Sequence, residues 1–256
     1  MSDYQCILLE RKPQGIVVCT FNRPDVRNAL NQEMAREIRQ ALDLLAADDS
    51  VRVLIFFGAG GRAFISGADI GELRERRQAD ALSRINSGLF RQIEQFPRPT
   101  IAAITGYCLG GGCELAMACD LRVAGEGAKF GQPEVGLGIL PGAGGTYRLP
   151  KLVGLGRAKE LIFTGRIIDA AWAERIGLVN QVAPDDDVIA VAEGLASEIA
   201  ANSPLAVRFA KASLSIGAEM STDAAMALES TAQAILFEDE EKERRMTAFL
   251  QRKRKK

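Results

Sequence analysis

An α/β fold with a separate helical C-terminal region is predicted by three observations on this sequence. Short apolar runs of strand length alternate with helix-periodic stretches up to about residue 186. Glycine-rich or proline-marked turns punctuate the alternation. Beyond residue 186 strand signals disappear and a helical pattern continues to Phe249. The chain therefore divides into an α/β core over roughly 1–195 and an α-helical region over roughly 196–256.

The elements follow in order. Ile16-Val17-Val18-Cys19-Thr20-Phe21 is a β-rich run, with 5–10 as its hairpin partner. Asn22-Arg23-Pro24-Asp25 ends it. Met34, Ile38, Leu42 and Leu45 then fall on one helical face, with Asn31 as the N-cap and Asp48-Asp49 as the stop. Residues 51–57 form an apolar strand interrupted only by Arg52, and Gly58-Ala59-Gly60-Gly61 is a loop. A helix is predicted over 82–95, punctuated by Pro97 and Pro99, before a short strand at 100–104. After Gly110-Gly111-Gly112, residues 114–118 read as a short buried helix and 121–124 as a strand. Asp169 caps a helix over 170–176 that stops at Gly177, and 178–182 is the last strand. Ser203-Pro204 pairs an N-cap with proline at the first helical position.

Composition narrows the function. A chain of 256 residues, 47% hydrophobic, buries one sizeable core. Its formal net charge of -1 gives no global attraction for nucleic acid or an anionic membrane. The exception is the basic end Arg252-Lys253-Arg254-Lys255-Lys256, expected to be solvated and disordered, with an anionic ligand as the lesser reading. Five cysteines, with no C-x-x-C pair and no histidine, exclude a Cys/His zinc site and suggest buried thiols in a reducing compartment. There is no secretory signal pattern and no apolar run near the roughly 18 residues of a membrane span. A cytoplasmic protein without metal or membrane partner is expected.

The absence of histidine also shapes any chemistry. Proton transfer near neutral pH must fall to carboxylates, Lys, Tyr or Cys. Two glutamates stand in glycine-rich frames. Glu114 ends Gly106-Tyr107-Cys108-Leu109-Gly110-Gly111-Gly112-Cys113-Glu114, and Glu134 lies in Phe130-Gly131-Gln132-Pro133-Glu134-Val135-Gly136. On the bland reading the first is a salt-bridged carboxylate at a tight turn and the second an exposed turn residue. On the functional reading, helix-start amides near Gly111 bind a developing oxyanion. The amide of Ala68, in Ser66-Gly67-Ala68-Asp69-Ile70, supplies a second donor. Two carboxylates facing one substrate repel, so one retains a proton near neutral pH. Gly136-Leu137-Gly138-Ile139-Leu140-Pro141-Gly142 is not a dinucleotide fingerprint, and neither a Walker loop nor a G-x-S-x-G elbow is present.

Across almost its whole length the sequence resembles the crotonase (enoyl-CoA hydratase/isomerase) superfamily. The matching stretches are Asn22-Arg23-Pro24, Asn28-Ala29-Leu30, Ser66 to Ile70, Gly106 to Glu114, Phe130 to Glu134, Pro141 to Thr146, Thr164-Gly165-Arg166 and Gly177 to Asn180. The resemblance implies a crotonase-like spiral of ββα units with a helical C-terminal trimerisation region, in a homotrimer or dimer of trimers. It implies reversible syn hydration of a trans-2-enoyl-CoA to a (3S)-3-hydroxyacyl-CoA, as in fatty-acid β-oxidation, with no cofactor because CoA belongs to the substrate. Ala68 and Gly111 become the oxyanion hole, Glu114 the base that activates water, and Glu134 the acid that protonates C2. Arg27, Ala29, Ser66, Asp69, Ile70 and Gly142 become substrate or CoA contacts. Phe249 and Arg252 are expected to reach the CoA site of a neighbouring subunit. The sequence departs from the family at Gly71, where mitochondrial hydratases carry lysine, at Ile65-Ser66 and at Arg244-Arg245.

Three other functions compete with hydration. Another acyl-CoA reaction such as enoyl-CoA isomerisation is nearest, although isomerases often keep only one of the glutamates. Some relatives bind RNA through a lysine-rich first helix, but here Arg36 and Arg39 are balanced by Glu33, Glu37 and Asp43. A carboxylate-pair glycosidase is disfavoured by one Trp and three Tyr, too few rings for sugar stacking.

Overall fold

The computed structural model describes residues 4–217 and 219–254. Strands β1 (Ile7–Arg11) and β2 (Ile16–Phe21) form the expected antiparallel hairpin, turned by Gln14 and Gly15 at positive φ. Helix α1 (Gln32–Ala46) starts where Asn31 Oδ1 accepts the Met34 amide at 2.9 Å. The chain then winds through three similar turns. The first is β3 (Val53–Gly58), β4 (Ala63–Ile65), α2 (Ile70–Glu75), α3 (Gln78–Leu82) and α4 (Ile85–Glu94). The second is β5 (Thr100–Ile104), β6 (Tyr107–Leu109) and α5 (Gly111–Ala118). The third is β7 (Leu121–Gly125), β8 (Lys129–Gly131), a 3-10 turn at Pro133–Leu137, α6 (Gly145–Val153) and α7 (Leu155–Thr164). There follow β9 (Ile168–Asp169), α8 (Ala170–Arg175), β10 (Gln181–Ala183) and α9 (Val188–Ala200). Helices α10 (Pro204–Gly217), α11 (Thr222–Phe237) and α12 (Glu240–Arg254) complete the chain.

Each turn gives one strand to each of two sheets. The larger sheet has the order β1-β2-β3-β5-β7-β10, parallel except for the first hairpin. The smaller has the order β4-β6-β8-β9. This is the ββα spiral that the resemblance implied. The larger sheet is buried on both faces, which explains its near-continuous apolar strands. On one face Val17, Cys19, Leu54 and Phe56 pack with Met34, Ile38, Leu42 and Leu45 of α1. On the other, Ile16, Val18, Val53, Ile55 and Ile101 pack under Val188, Ala192 and Ala196 of α9.

Several boundaries differ from expectation for identifiable reasons. Helix α9 runs through the division placed near residue 195, because its apolar face covers the sheet. The helix expected over 82–95 is broken at Arg84, which takes φ +56°. Leu178 and Val179 are buried in a turn rather than a strand, and both their amides bond back to the Ala173 carbonyl at the end of α8. The basic end is not disordered through Arg254: α12 extends that far with acidic residues in its first turn, an arrangement that suits the helix dipole. Lys255 and Lys256 lie outside the described residues. Glu37 is buried, not a solvated charge of α1. It accepts the amides of Gln5, Cys6 and Ile7 at 2.7, 2.8 and 3.2 Å, tying β1 to α1.

All five cysteines are buried free thiols. Burial pushes the Cys119 thiol up to about 12. Among the described residues no helix is long and apolar enough to cross a membrane.

Candidate active site

The site forms where the N-terminus of α5 meets the end of β4. Gly112 permits the contact, since a Cβ there would stand 2.1 Å from the Ile65 carbonyl oxygen. Gly110 turns the chain into the helix at φ +50°, and a Cβ on it would stand 3.0 Å from Glu134 Oε1. Gly111 is the first residue of α5, so its amide points out of the helix end. The residues flanking Ala68 are both tied to Leu30: the Leu30 amide donates to the Gly67 carbonyl and the Asp69 amide to the Leu30 carbonyl, each at 2.9 Å. The Ala68 amide is thereby turned away from Leu30. Neither the Ala68 nor the Gly111 amide has an acceptor among the described residues. The two are adjacent, for a Cβ on Gly111 would lie 3.7 Å from the Ala68 nitrogen. Two neighbouring free donors at a helix start make a pocket for a negatively charged oxygen.

Asp69 works locally as well. Its Oδ1 caps α2 through the Gly71 amide at 3.1 Å, and its Oδ2 pairs with Arg23 at 3.5 Å. Behind this loop the buried Asn28, at φ +55°, holds three backbone groups. It accepts the Arg23 amide and donates to the carbonyls of Ala59 and Ala63.

Glu114 and Glu134 face one cavity from different supports. Glu114 is 2% exposed, and its Oε1 accepts the amides of Ala143 and Gly145 at 2.7 and 2.8 Å, at the start of α6. Burial raises its carboxyl above the ordinary value, a rise that the Gly145 and Ala143 amides and the Arg148 charge only partly offset. Glu134 is 9% exposed, and its Oε2 is buried without a partner. Burial pushes the Glu134 carboxyl up to about 7, opposed by its own backbone amide and reinforced by the Glu114 charge. Burial thus raises both carboxyls, but amide donors partly offset the rise at Glu114 and none reaches Glu134 Oε2. Of the two, Glu134 is better set to keep a proton, an acid and a base made from the same side chain.

Arg148 of α6 secures the donors to Glu114. It is buried, its Nη1 donates to the Ala143 carbonyl at 3.1 Å, and its Nη2 pairs with Glu94 at 3.0 Å. The peptide unit before Ala143 gives its amide to Glu114 while the carbonyl after it is held by the guanidinium.

The cavity encloses about 700 Å³. Ala68, Gly111, Glu114 and Glu134 all line it, and so do Ala29, Ser66, Asp69, Ile70 and Gly142. Leu73, Leu137, Ile139 and Leu140 add apolar lining. Three residues named from the sequence do not line it in this chain. Arg27 is exposed, with its guanidinium 5.8 Å from the Tyr107 ring centroid. Phe249 and Arg252 are exposed on α12. Sequence inspection missed Arg148, the amides of Ala143 and Gly145, and Arg76, Arg77 and Arg84, which flank α3 and line the cavity. A buried arginine looks like any surface arginine until the fold brings Glu94 to it.

A family model described as enoyl-CoA hydratase/isomerase matches residues 11–256. A short-chain-enoyl-CoA hydratase of Clostridium acetobutylicum is 42% identical over 250 residues, covering 97% of this chain and 95% of its own. A crotonyl-CoA hydratase of Syntrophomonas wolfei is 43% identical over 253 residues, covering 98% and 97%. The crystal structure of an enoyl-CoA hydratase from Bacillus anthracis superposes with a TM-score of 0.94 at 37% identity, covering 97% of each chain. With fold, ordered motifs and full-length relatives in agreement, the chain belongs to the enoyl-CoA hydratase/isomerase family.

Proposed function

We propose that this protein is an enoyl-CoA hydratase that adds water reversibly, with syn geometry, across the double bond of a trans-2-enoyl-CoA to give a (3S)-3-hydroxyacyl-CoA. The observation that carries the proposal is one cavity lined by two free adjacent amides and by two buried carboxyls, one bonded by main-chain amides and the other with an oxygen left without a partner. The thioester carbonyl docks on the amides of Ala68 and Gly111. A water lies between the glutamates. Glu114 takes its proton as the oxygen attacks C3, and negative charge moves to the thioester oxygen. Losing one oxyanion donor costs about 3 kcal/mol of transition-state stabilisation in comparable sites. Glu134 then protonates C2 from the same side as the attack, which makes the addition syn. Hydration transfers no electrons, so the reaction itself calls for no redox cofactor, and CoA arrives with the substrate.

The CoA moiety is proposed to run past Ala29, Ser66, Asp69 and Ile70 toward Arg27. Phe249 and Arg252 are proposed to approach it from a neighbouring subunit of a homotrimer or dimer of trimers. Exposed apolar side chains on the last three helices, among them Leu214, Met226, Phe237 and Phe249, support an assembly that covers them. Five unpaired buried thiols support a cytoplasmic location.

The test is turnover of crotonyl-CoA, followed by loss of the conjugated enoyl absorbance. Wild type should hydrate it, and Glu114→Gln or Glu134→Gln should lower kcat by about 10²–10⁴-fold. A double-bond shift without hydration, or full activity in either variant, would overturn the assignment.

A further inference from the structure

We infer that the cavity wall built by α2, α3 and the start of α4 binds a carboxylate at the end of the substrate's acyl chain, so that the preferred substrate is an ω-carboxylated enoyl-CoA. This rests on the hydratase proposal and names the substrate class for the same cavity. Arg76, Arg77 and Arg84 line the cavity that holds Glu114 and Glu134. Their neighbours outside it have acidic partners: Arg74 pairs with Glu75 at 3.0 Å and Arg91 with Glu94 at 2.8 Å. The three lining arginines have no ion pair among the described residues. Asp80, three residues after Arg77, also lines the cavity, but its Oδ2 accepts the Arg77 backbone amide at 2.8 Å.

A buried polar atom points the same way. Arg76 Nε is buried and has no acceptor. A desolvated guanidinium N–H without a partner is unfavourable, and an incoming carboxylate relieves it. Arg84 is held at φ +56°, a backbone conformation that side-chain-bearing residues avoid and that a stability-driven loop fills with glycine or asparagine. Arg76 lies about 10 Å along the helix direction from Asp69, the neighbour of the oxyanion donor. Leu73, Leu137, Ile139 and Leu140 line the same cavity and suit the methylenes between thioester and charge. Arginine recognises a carboxylate through paired N–H donors, which lysine cannot match.

The experiment compares two six-carbon trans-2-enoyl-CoA esters, one ending in methyl and one in carboxylate, by kcat/KM. Wild type should favour the carboxylated ester. Arg76→Met and the double variant Arg77→Met/Arg84→Met should each reduce the carboxylate-to-methyl ratio by about tenfold, the scale of one lost charge-assisted contact. Arg74→Met, on the paired arginine outside the cavity, should leave the ratio unchanged. If the arginines instead serve the CoA phosphates, both esters lose equally, the ratio stays fixed and the inference is overturned. A wild type that prefers the methyl ester overturns it too, while leaving the hydratase proposal standing. Turnover of neither ester nor of crotonyl-CoA overturns both.

Discussion

Glu134 and Glu114 are chemically identical, and their surroundings alone separate their roles. Two amides at the start of α6 favour the charged form of Glu114 and partly offset the burial that raises it, whereas Glu134 Oε2 is buried with no donor. The hydration rate should therefore fall as pH rises through about 7, as Glu134 loses the proton it must deliver. A pH profile of kcat checks this. The same shift bears on stability. A carboxyl whose folded value lies above its unfolded one favours the folded state at low pH, and that contribution is lost as pH climbs from about 4.5 to about 7. Above that window the ionised Glu134 costs on the order of 3 kcal/mol. Glu134→Gln should then be more stable than wild type at pH 8 and nearly equal at pH 4.5, measured by urea denaturation. Arg148→Met should lose about 2 kcal/mol, since it takes a donor away from the partly buried Glu94 and from the Ala143 carbonyl. It should also move the acidic limb of the pH profile upward, because the Arg148 charge holds Glu114 down. The glutamates were legible in sequence because no histidine competes with them and glycines frame both. Arg148 was not: its partner Glu94 is 54 residues away, and only the folded chain joins them.

At the scale of elements, the oxyanion site depends on how closely α5 approaches β4. Gly112→Ala places a methyl 2.1 Å from the Ile65 carbonyl oxygen. Helix or strand must shift, with a loss of about 1–3 kcal/mol by analogy with overpacked cores. The Gly111 amide should move with the helix, so kcat should fall while CoA-ester binding holds better. Thermal unfolding and steady-state kinetics on one preparation test both. Long elements were readable: α1 follows its four-four-three apolar spacing, and β2, β3 and β5 are apolar runs bounded by turns. The small sheet was not. Ala63–Ile65, Tyr107–Leu109 and Lys129–Gly131 span three residues each, too short for alternation to register. Helices α6 and α7 were also missed, because Gly144, Pro150 and Gly154 interrupt the pattern that would announce them.

The whole molecule carries more apolar surface than one chain can bury. Helices α10 and α12 contribute no fully buried large hydrophobic side chain, and Leu214 and Phe249 are 76% and 64% exposed. Sedimentation velocity should show an assembly of several 27.6 kDa chains rather than a monomer. Leu214→Asp should shift it toward smaller species. The central claim, however, is local: the thioester oxygen sits on the amides of Ala68 and Gly111 with Glu114 and Glu134 beside the double bond. Its most direct test is a crystal structure with a non-reactive acyl-CoA bound. The carbonyl oxygen should lie about 2.7–3.1 Å from both nitrogens, with C2 and C3 facing the two carboxyls. A carbonyl turned away from those amides, or glutamates on opposite sides of the acyl chain, would contradict the account.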